Sequence, residues 1–259
     1  MVKIKAITED LINNISGETG FNTKVLLKDY YLTVILYLIK DINGIYFKGG
    51  TALQKTFLDY SRMSEDIDFT LTGDVKEIIT DIEKILEKSG FFGKITKDKN
   101  VEGFTRIVVH YKGFSNEDGV VFIDLNQRAK LLTKPENHKI MHFYKDNIPD
   151  FSFPMLSKEE MISEKVAAAI GRNRPRDHFD IYMILKAKIP ISMGLVEEKC
   201  RQSKVEFNII KMFNSASKLK HRWDNDLLPL LAEEITFEEV MKTLAKHFKL
   251  KEEKDKRKN

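Results

Sequence analysis

Hydrophobic and polar positions along this chain follow two periods, and the change from one to the other divides it. The first forty residues keep the helical period. Thr8 or Glu9 opens one helix, and Asn22 or Thr23 can cap a second. That second segment, Lys24 to Lys40, is apolar on most of its faces, which predicts a buried helix. The texture then changes. Gly44 to Lys48 reads as a short strand ending in Gly49-Gly50, and Thr51 to Tyr60 has helical spacing with Leu53, Phe57 and Leu58 on one side. Asp66 to Leu71 reads as a second strand. Val75 to Ser89 reads as an amphipathic helix with Ile78, Ile82, Ile85 and Leu86 inward. Strands over Thr105 to Tyr111 and Val120 to Asn126 follow, joined by a turn holding Gly113, Asn116 and Gly119.

From about residue 155 the pattern is helical again. Ser157-Lys-Glu-Glu160 is a capping box that predicts a helix to Ile170, with Gly171 as its stop. Pro175 suits the first turn of the next helix, which carries Phe179, Ile181, Tyr182 and Leu185. Two or three more amphipathic helices extend to about Lys249. The expected organisation is a mixed α+β unit over residues 1–152, a helical unit over 153–248, and a charged tail over 249–259 without fixed structure.

Composition narrows the class. The 259 residues allow one large or two modest domains, and 42% hydrophobic with 32% charged residues excludes a disordered chain. The longest apolar run, Leu32 to Ile39, is far too short to span a membrane. The first ten residues lack an apolar stretch with a cleavage site, so no signal peptide is expected. The lone cysteine, Cys200, excludes an internal disulfide framework and suits a reducing compartment. A cytoplasmic protein is the expectation. The net charge of +4 is misleading, because the tail holds six basic and three acidic residues and leaves the body almost neutral. A polyanion site must therefore be a local patch.

The chemistry concentrates in Phe47-Lys-Gly-Gly-Thr-Ala-Leu-Gln-Lys and Arg62-Met-Ser-Glu-Asp66-Ile-Asp68-Phe. In a strand, Asp66 and Asp68 share a face while Ile67 and Phe69 point to the core. Two carboxylates on one rigid face make a cradle for a hard divalent ion. Asp124 is a third, in a strand of otherwise apolar residues where an unpaired charge is costly. If the two strands are neighbours, three carboxylates converge, enough for the two-metal arrangement of phosphoryl transfer. Gly49-Gly50-Thr51, between a strand and a helix, would let the backbone and a helix N-terminus approach a phosphate. The plainer alternative is a glycine turn beside a solvated acidic strand end.

Further along, Lys165 sits among Ala167, Ala168 and Ala169. It is either a solvated helical lysine or one whose ammonium reaches a triphosphate. Asp177 falls in a helical first turn, where the dipole alone favours it. Asp180, one turn on, reads as structural and able to pair with Arg176 or Arg172. Arg172, Arg174 and Arg176 form an arginine cluster that would suit an RNA backbone. His138 and His142 have metal-binding spacing but no third ligand, and read as a surface pair. Trp223 reads as core and Cys200 as inert. The absence of a P-loop and of a Gly-x-Ser-x-Gly element excludes those two enzyme classes.

The order of glycine turn, Asp66-Ile-Asp68 and Asp124 resembles the polymerase-β-type nucleotidyltransferase superfamily. More narrowly the chain is similar to the AbiEii/AbiGii toxin family, the nucleotidyltransferase partners of type IV toxin–antitoxin systems, to which the MenT toxins belong. The likeness rests on Lys48-Gly-Gly-Thr-Ala-Leu with Arg62 to Phe69, on Glu164-Lys165 within Leu156 to Ala169, and on Arg172 to Asp177 with Asp180. It implies a polymerase-β-like α+β core with a helical C-terminal portion. The implied activity moves a nucleoside monophosphate from an NTP to a hydroxyl, with the 3′ end of tRNA as the acceptor and a cognate antitoxin as partner. Asp66 and Asp68 would hold Mg²⁺ or Mn²⁺ with Asp124 completing the set. Gly49, Gly50 and Thr51 would hold phosphates. Lys165 would neutralise leaving charge, and Asp177 would orient Lys165 or the nucleotide. The alternatives are a small-molecule or protein acceptor, or a catalytically silent RNA- or partner-binding module. Three mutually repelling aspartates argue against the silent module. Two departures stand out: fourteen residues separate Thr51 from Asp66, and the family's middle basic motif has four candidates, Lys94, Lys97, Lys99 and Arg106.

Overall fold

Thr8 and Asn22 cap the first two helices through their side chains, accepting hydrogen bonds from the Leu11 and Lys24 backbone N–H groups. In the computed structural model, which describes residues 4–256, these are α1 (Glu9–Thr19) and α2 (Thr23–Ile39). Leu26, Leu32, Val34, Ile35 and Leu36 are completely buried, as the apolar run of α2 predicts. After them come β1 (Ile45–Lys48), α3 (Gly49–Thr56), β2 (Asp66–Leu71), α4 (Val75–Ser89), β3 (Ile95–Val101), β4 (Phe104–Lys112), β5 (Asp118–Asn126), β6 (Glu136–Lys139) and β7 (Ser152–Met155). The strands form one seven-stranded sheet in the order β3-β4-β5-β2-β1-β7-β6. β2 runs parallel to β5, and β1 is antiparallel to β2.

Alternation decides what each face does. Phe47, Ile67, Phe69, Ile107, Val109, Ile123 and Leu125 are fully or almost fully buried on the face where α2 packs against β5 and α4. Residues between them in the sequence point to the other, more open face.

Three strands escape the sequence reading. β3 is a polar edge strand, β6 is four polar residues long, and β7 contains Pro154, which speaks against a strand unless a neighbour tolerates the missing N–H. Because β7 pairs with β1 and β6, the two compact units divide at Ser157/Lys158 rather than near residue 152. Other differences are small. α3 starts at Gly49, earlier than Thr51, and ends at Thr56. In α4, Ile79 is buried where Ile85 was expected.

The short α3 cannot stand on helix propensity and is held by buried polar groups. The Lys55 ammonium lies 2.8 Å from Asp29 Oδ1 and 3.0 Å from its Oδ2, and donates to Thr33 and the Tyr60 hydroxyl. The Tyr144 hydroxyl donates to the Leu26 carbonyl and also approaches Asp29. Burial pulls the Lys55 pKa down against the opposing pull of Asp29, and pushes those of Tyr60 and Tyr144 up. On the adjoining side, Gln54 accepts from the Arg62 backbone N–H and the Ser61 hydroxyl. Arg62, only 2% exposed, donates to the Met63 carbonyl. The expected histidine surface pair is corrected here. His138 bonds to Glu136 on β6, but His142 is buried beside Lys55.

The second unit starts at Lys158 and is helical: α5 (Lys158–Arg172), α6 (Pro175–Lys186), α7 (Met193–Gln202), α8 (Ala216–Asp226), α9 (Phe237–His247) and α10 (Leu250–Lys256), with two short 3-10 turns before and after α8. Gly171 does not stop α5 as expected. It lies within the helix, where an added Cβ would come 3.1 Å from Val205 Cγ2. The left-handed residue is Asn173. Val166, Ile170, Phe179, Tyr182, Cys200, Trp223 and Leu244 build the core, which bears out Trp223 as a core residue. The segment expected to lack structure is helical over Leu250–Lys256, without a buried side chain. Residues 257–259 of that tail lie outside the described ones.

Two measurements test the buried network. Asp29→Ala strands the Lys55 ammonium and should cost about 3–5 kcal/mol in urea unfolding followed by circular dichroism. Asp29→Leu with Lys55→Met should recover most of that loss, and a double variant no better than Asp29→Ala would refute the coupling. For His142, burial and then the Lys55 charge push its pKa down to about 4, below the ordinary 6.5. Between those values the unfolded chain takes up a proton that the folded chain refuses. Stability is therefore lost as pH falls from about 6.5 towards 4. A scan of melting temperature against pH should show His142→Phe losing less than the wild type over that window.

Candidate active site

Strand register sets a row of charges across the open face of the sheet. Lys48 on β1 pairs with Asp68 on β2, Asp68 with Asp124 on β5, Asp124 with Arg106 on β4, and Arg106 with Lys99 on β3. Asp66 is two residues before Asp68 and shares its face. The structure thus brings Asp66, Asp68 and Asp124 to one side of two adjacent parallel strands, the arrangement the sequence predicted if those strands were neighbours.

What the sequence did not predict is the partner of Asp124. Arg106 Nε donates to Oδ1 at 2.6 Å and Nη2 to Oδ2 at 2.7 Å, a two-pronged pair that takes both carboxylate oxygens. The hydrogen bond to Asp124 raises the Arg106 pKa further above its ordinary value, so the guanidinium stays charged. The Arg106 guanidinium carbon also lies 4.9 Å from the centre of the Phe122 ring. Arg106 was one of four candidates for a basic motif. Its pairing follows from the hairpin register: Lys112 stands opposite Asp118, and each step back along β4 matches one step forward along β5, which brings Arg106 to Asp124.

The glycine turn is shaped around its neighbours. Gly49 has φ +81°, and a Cβ there would stand 2.2 Å from Asp68 Oδ2. A Cβ on Gly50 would stand 2.7 Å from Arg62 Nη2. A side chain at either position displaces a charged group. Thr51 has a different use from its expected one. It is 1% exposed and its hydroxyl donates to the Asp66 carbonyl, tying the start of α3 to β2. The hydroxyl is thus already engaged, while the first-turn backbone N–H groups of α3 have no partner within their own helix.

These groups suit a hard divalent cation in donor type. The carboxylates stand in register, and the missing Cβ of Gly49 leaves room for the Asp68 carboxylate. Among the described residues, however, no three His, Cys, Asp or Glu side chains already form a metal cage.

In the helical unit a second charged cluster is buried. Lys165 Nζ lies 3.1 Å from Asp177 Oδ1 and 2.8 Å from Asp180 Oδ2, and Arg172 forks onto Asp177. Burial resists ionisation of Asp177. Lys165 and Arg172 outweigh it and hold the carboxyl below the usual carboxylate range. A solvated Lys165 is ruled out, since it is 6% exposed. Asp180 is fully buried and meets Lys165, a partner the sequence reading did not give it. Lys199 on α7 lies 2.6 Å from Glu160 and 3.2 Å from Glu164, another buried cluster that the sequence did not signal. Cys200 is buried too, and burial raises its thiol pKa, against any reactive role.

No helix among the described residues is long and apolar enough to cross a membrane. No curated protein matches the chain by sequence. Among solved structures, it is similar to MenT4, a nucleotidyltransferase toxin from Mycobacterium tuberculosis H37Rv, with TM-score 0.59 and 20% identity over 75% of this chain and 69% of that one. It is also similar to a putative nucleotidyltransferase from Helicobacter pylori, with TM-score 0.59 and 18% identity over 92% and 99%. JHP933 from Helicobacter pylori gives TM-score 0.57 and 19% identity over 91% and 96%. At these identities the likeness establishes the fold. The profile of the nucleotidyl transferase AbiEii toxin family of type IV toxin–antitoxin systems matches residues 35–246, and the chain belongs to that family.

Proposed function

We propose that this nucleotidyltransferase toxin moves a nucleoside monophosphate from an NTP to a hydroxyl of RNA, the 3′ end of tRNA, and that a cognate antitoxin restrains it. The observation that carries this reading is the register that puts Asp66, Asp68 and Asp124 on one open face, beside the glycine-opened start of α3. In this reading Asp66 and Asp68 hold Mg²⁺ or Mn²⁺ and Asp124 completes the set. A divalent ion held there would lower the pKa of the acceptor hydroxyl and offset phosphate charge. Gly49 and Gly50 admit the phosphates to the backbone, while Thr51 keeps α3 fixed to β2 by its hydroxyl. Asp177 and Asp180 hold the Lys165 ammonium in one position, which suits a fixed charge better than a mobile surface lysine.

The acceptor is tested with four labelled NTPs and Mg²⁺, each incubated with total tRNA, other RNA, protein and small-molecule fractions. Label should remain with tRNA, and label in another fraction would replace the acceptor named here. Asp66→Asn and Asp68→Asn should each abolish transfer and, by relieving repulsion, leave the metal-free melting temperature unchanged or higher. Near-wild-type turnover in either variant would remove the metal assignment. Lys165→Ala should lower kcat/KM by roughly 30- to 1000-fold, or about 2–4 kcal/mol, against a small effect for Lys158→Ala. Because Lys165 is buried, melting temperatures are measured alongside. A rate loss that merely follows unfolding would assign Lys165 to the scaffold.

A further inference from the structure

Arg106 and Asp124 make a pair that the fold does not need. β4 and β5 are already paired at nine consecutive positions, from Phe104 with Asn126 to Lys112 with Asp118, so no register depends on this contact. Nor does Arg106 pack the core. It lies on the open face with a side chain 24% exposed, against 12% for Asp124, so solvent and solutes reach the guanidinium more easily than the carboxylate under it. Its position brings it under the influence of Asp66 as well as Asp124, two of the three carboxylates of the row.

We propose that Arg106 is a resident counterion of Asp124 that a polyphosphate must draw away, so that a divalent cation loads onto Asp124 only together with nucleotide. The inference rests on the metal reading given above and concerns the order in which charges enter the site. With both carboxylate oxygens on the guanidinium fork, an incoming cation meets a fixed positive charge where it needs a negative one. Raising pH cannot lift this block, because arginine does not deprotonate in a protein. A competing anion can. A planar fork matches phosphate as well as carboxylate, and a triphosphate brings far more negative charge than one aspartate. Phe122 gives the released guanidinium a flat neighbour on the same face, at 4.9 Å from its present position. Asp124 is thereby kept from stray cations until the substrate arrives.

The test counts bound Mn²⁺ by electron paramagnetic resonance on the full chain, with and without an α,β-methylene NTP analogue that cannot transfer. Wild type without analogue should bind one ion well and a second at least tenfold more weakly. The analogue should tighten the second ion. R106Q should bind the second ion at least tenfold more tightly than wild type without analogue, and D124N should lose it. Equal second-ion affinity in wild type and R106Q would overturn the proposal while leaving the metal reading intact. No bound Mn²⁺ in any variant would overturn both. A second measurement does not depend on R106Q folding. The Arg106 Nε–H resonance of ¹⁵N-labelled protein, assigned by its absence in R106K, should move when the analogue is added without metal. A resonance that stays in place would show that Asp124 keeps its fork and would also overturn the proposal.

Discussion

Two aspartates stand at the same level on neighbouring parallel strands, and their repulsion is the constraint around which the open face is arranged. Register-paired residues on adjacent strands lie about 5 Å apart. Two full charges at that distance repel by about 3 kcal/mol at an effective dielectric of about 20. The β2–β5 pairing fixes Asp68 beside Asp124, and Asp66 adds a third negative charge two residues away. The positive residues follow from this. Lys48 lies at the outer side of Asp68 and Arg106 at the outer side of Asp124, so the negative pair is bracketed in the same row. The pieces that hold the row, the β1–β2 and β2–β5 ladders and the anchoring of α3, rest on a buried layer that includes Phe47, Ile67, Phe69, Ile123 and Lys55.

Much of this was legible in the sequence, and the reasons are specific. β2 and α4 are read with their observed boundaries because each has an unbroken period and ends at a clear breaker. The three candidate carboxylates could be named because charge inside an apolar strand is unusual. The edge and short strands were not legible, since β3 and β6 carry almost no apolar residue and β7 contains proline. The partner of Asp124 needed the hairpin register as well as the strand assignment. The buried pair of Lys55 and Asp29 was half legible at most, since a charge in an apolar helix is unusual but its partner has no sequence mark. Asp29 sits in an apolar helix twenty-six residues from Lys55, and only the fold brings them together.

The two units handle buried charge differently. Around α3 the Lys55–Asp29 ion pair is surrounded by hydroxyl groups, from Thr33, Tyr60 and Tyr144, which share the polar load without adding net charge. In the helical unit, charge is balanced by charge: Lys165 between two aspartates with Arg172 outside them, and Lys199 between two glutamates. The first design suits a helix that must be held in place. The second fixes individual side chains, since each ammonium is restrained from two sides.

The in-register row also governs where the chain can change length. Side chains alternate faces with every residue, so one insertion within β2 or β5 moves every later carboxylate to the apolar side and an aliphatic residue to the open one. The segments between strands carry no such rule. The stretch from Thr51 to Asp66 spans a helix and a loop, with its ends tied by the Thr51 hydroxyl and the Asp66 carbonyl and its middle anchored through Gln54, Lys55 and Tyr60. Extra residues there turn no side chain of the row, although they must leave the Lys55 and Gln54 anchors in place. Grafts and deletions in this protein are therefore ruled by parity within the strands, and between them by the α3 anchors and the β4–β5 turn that sets register.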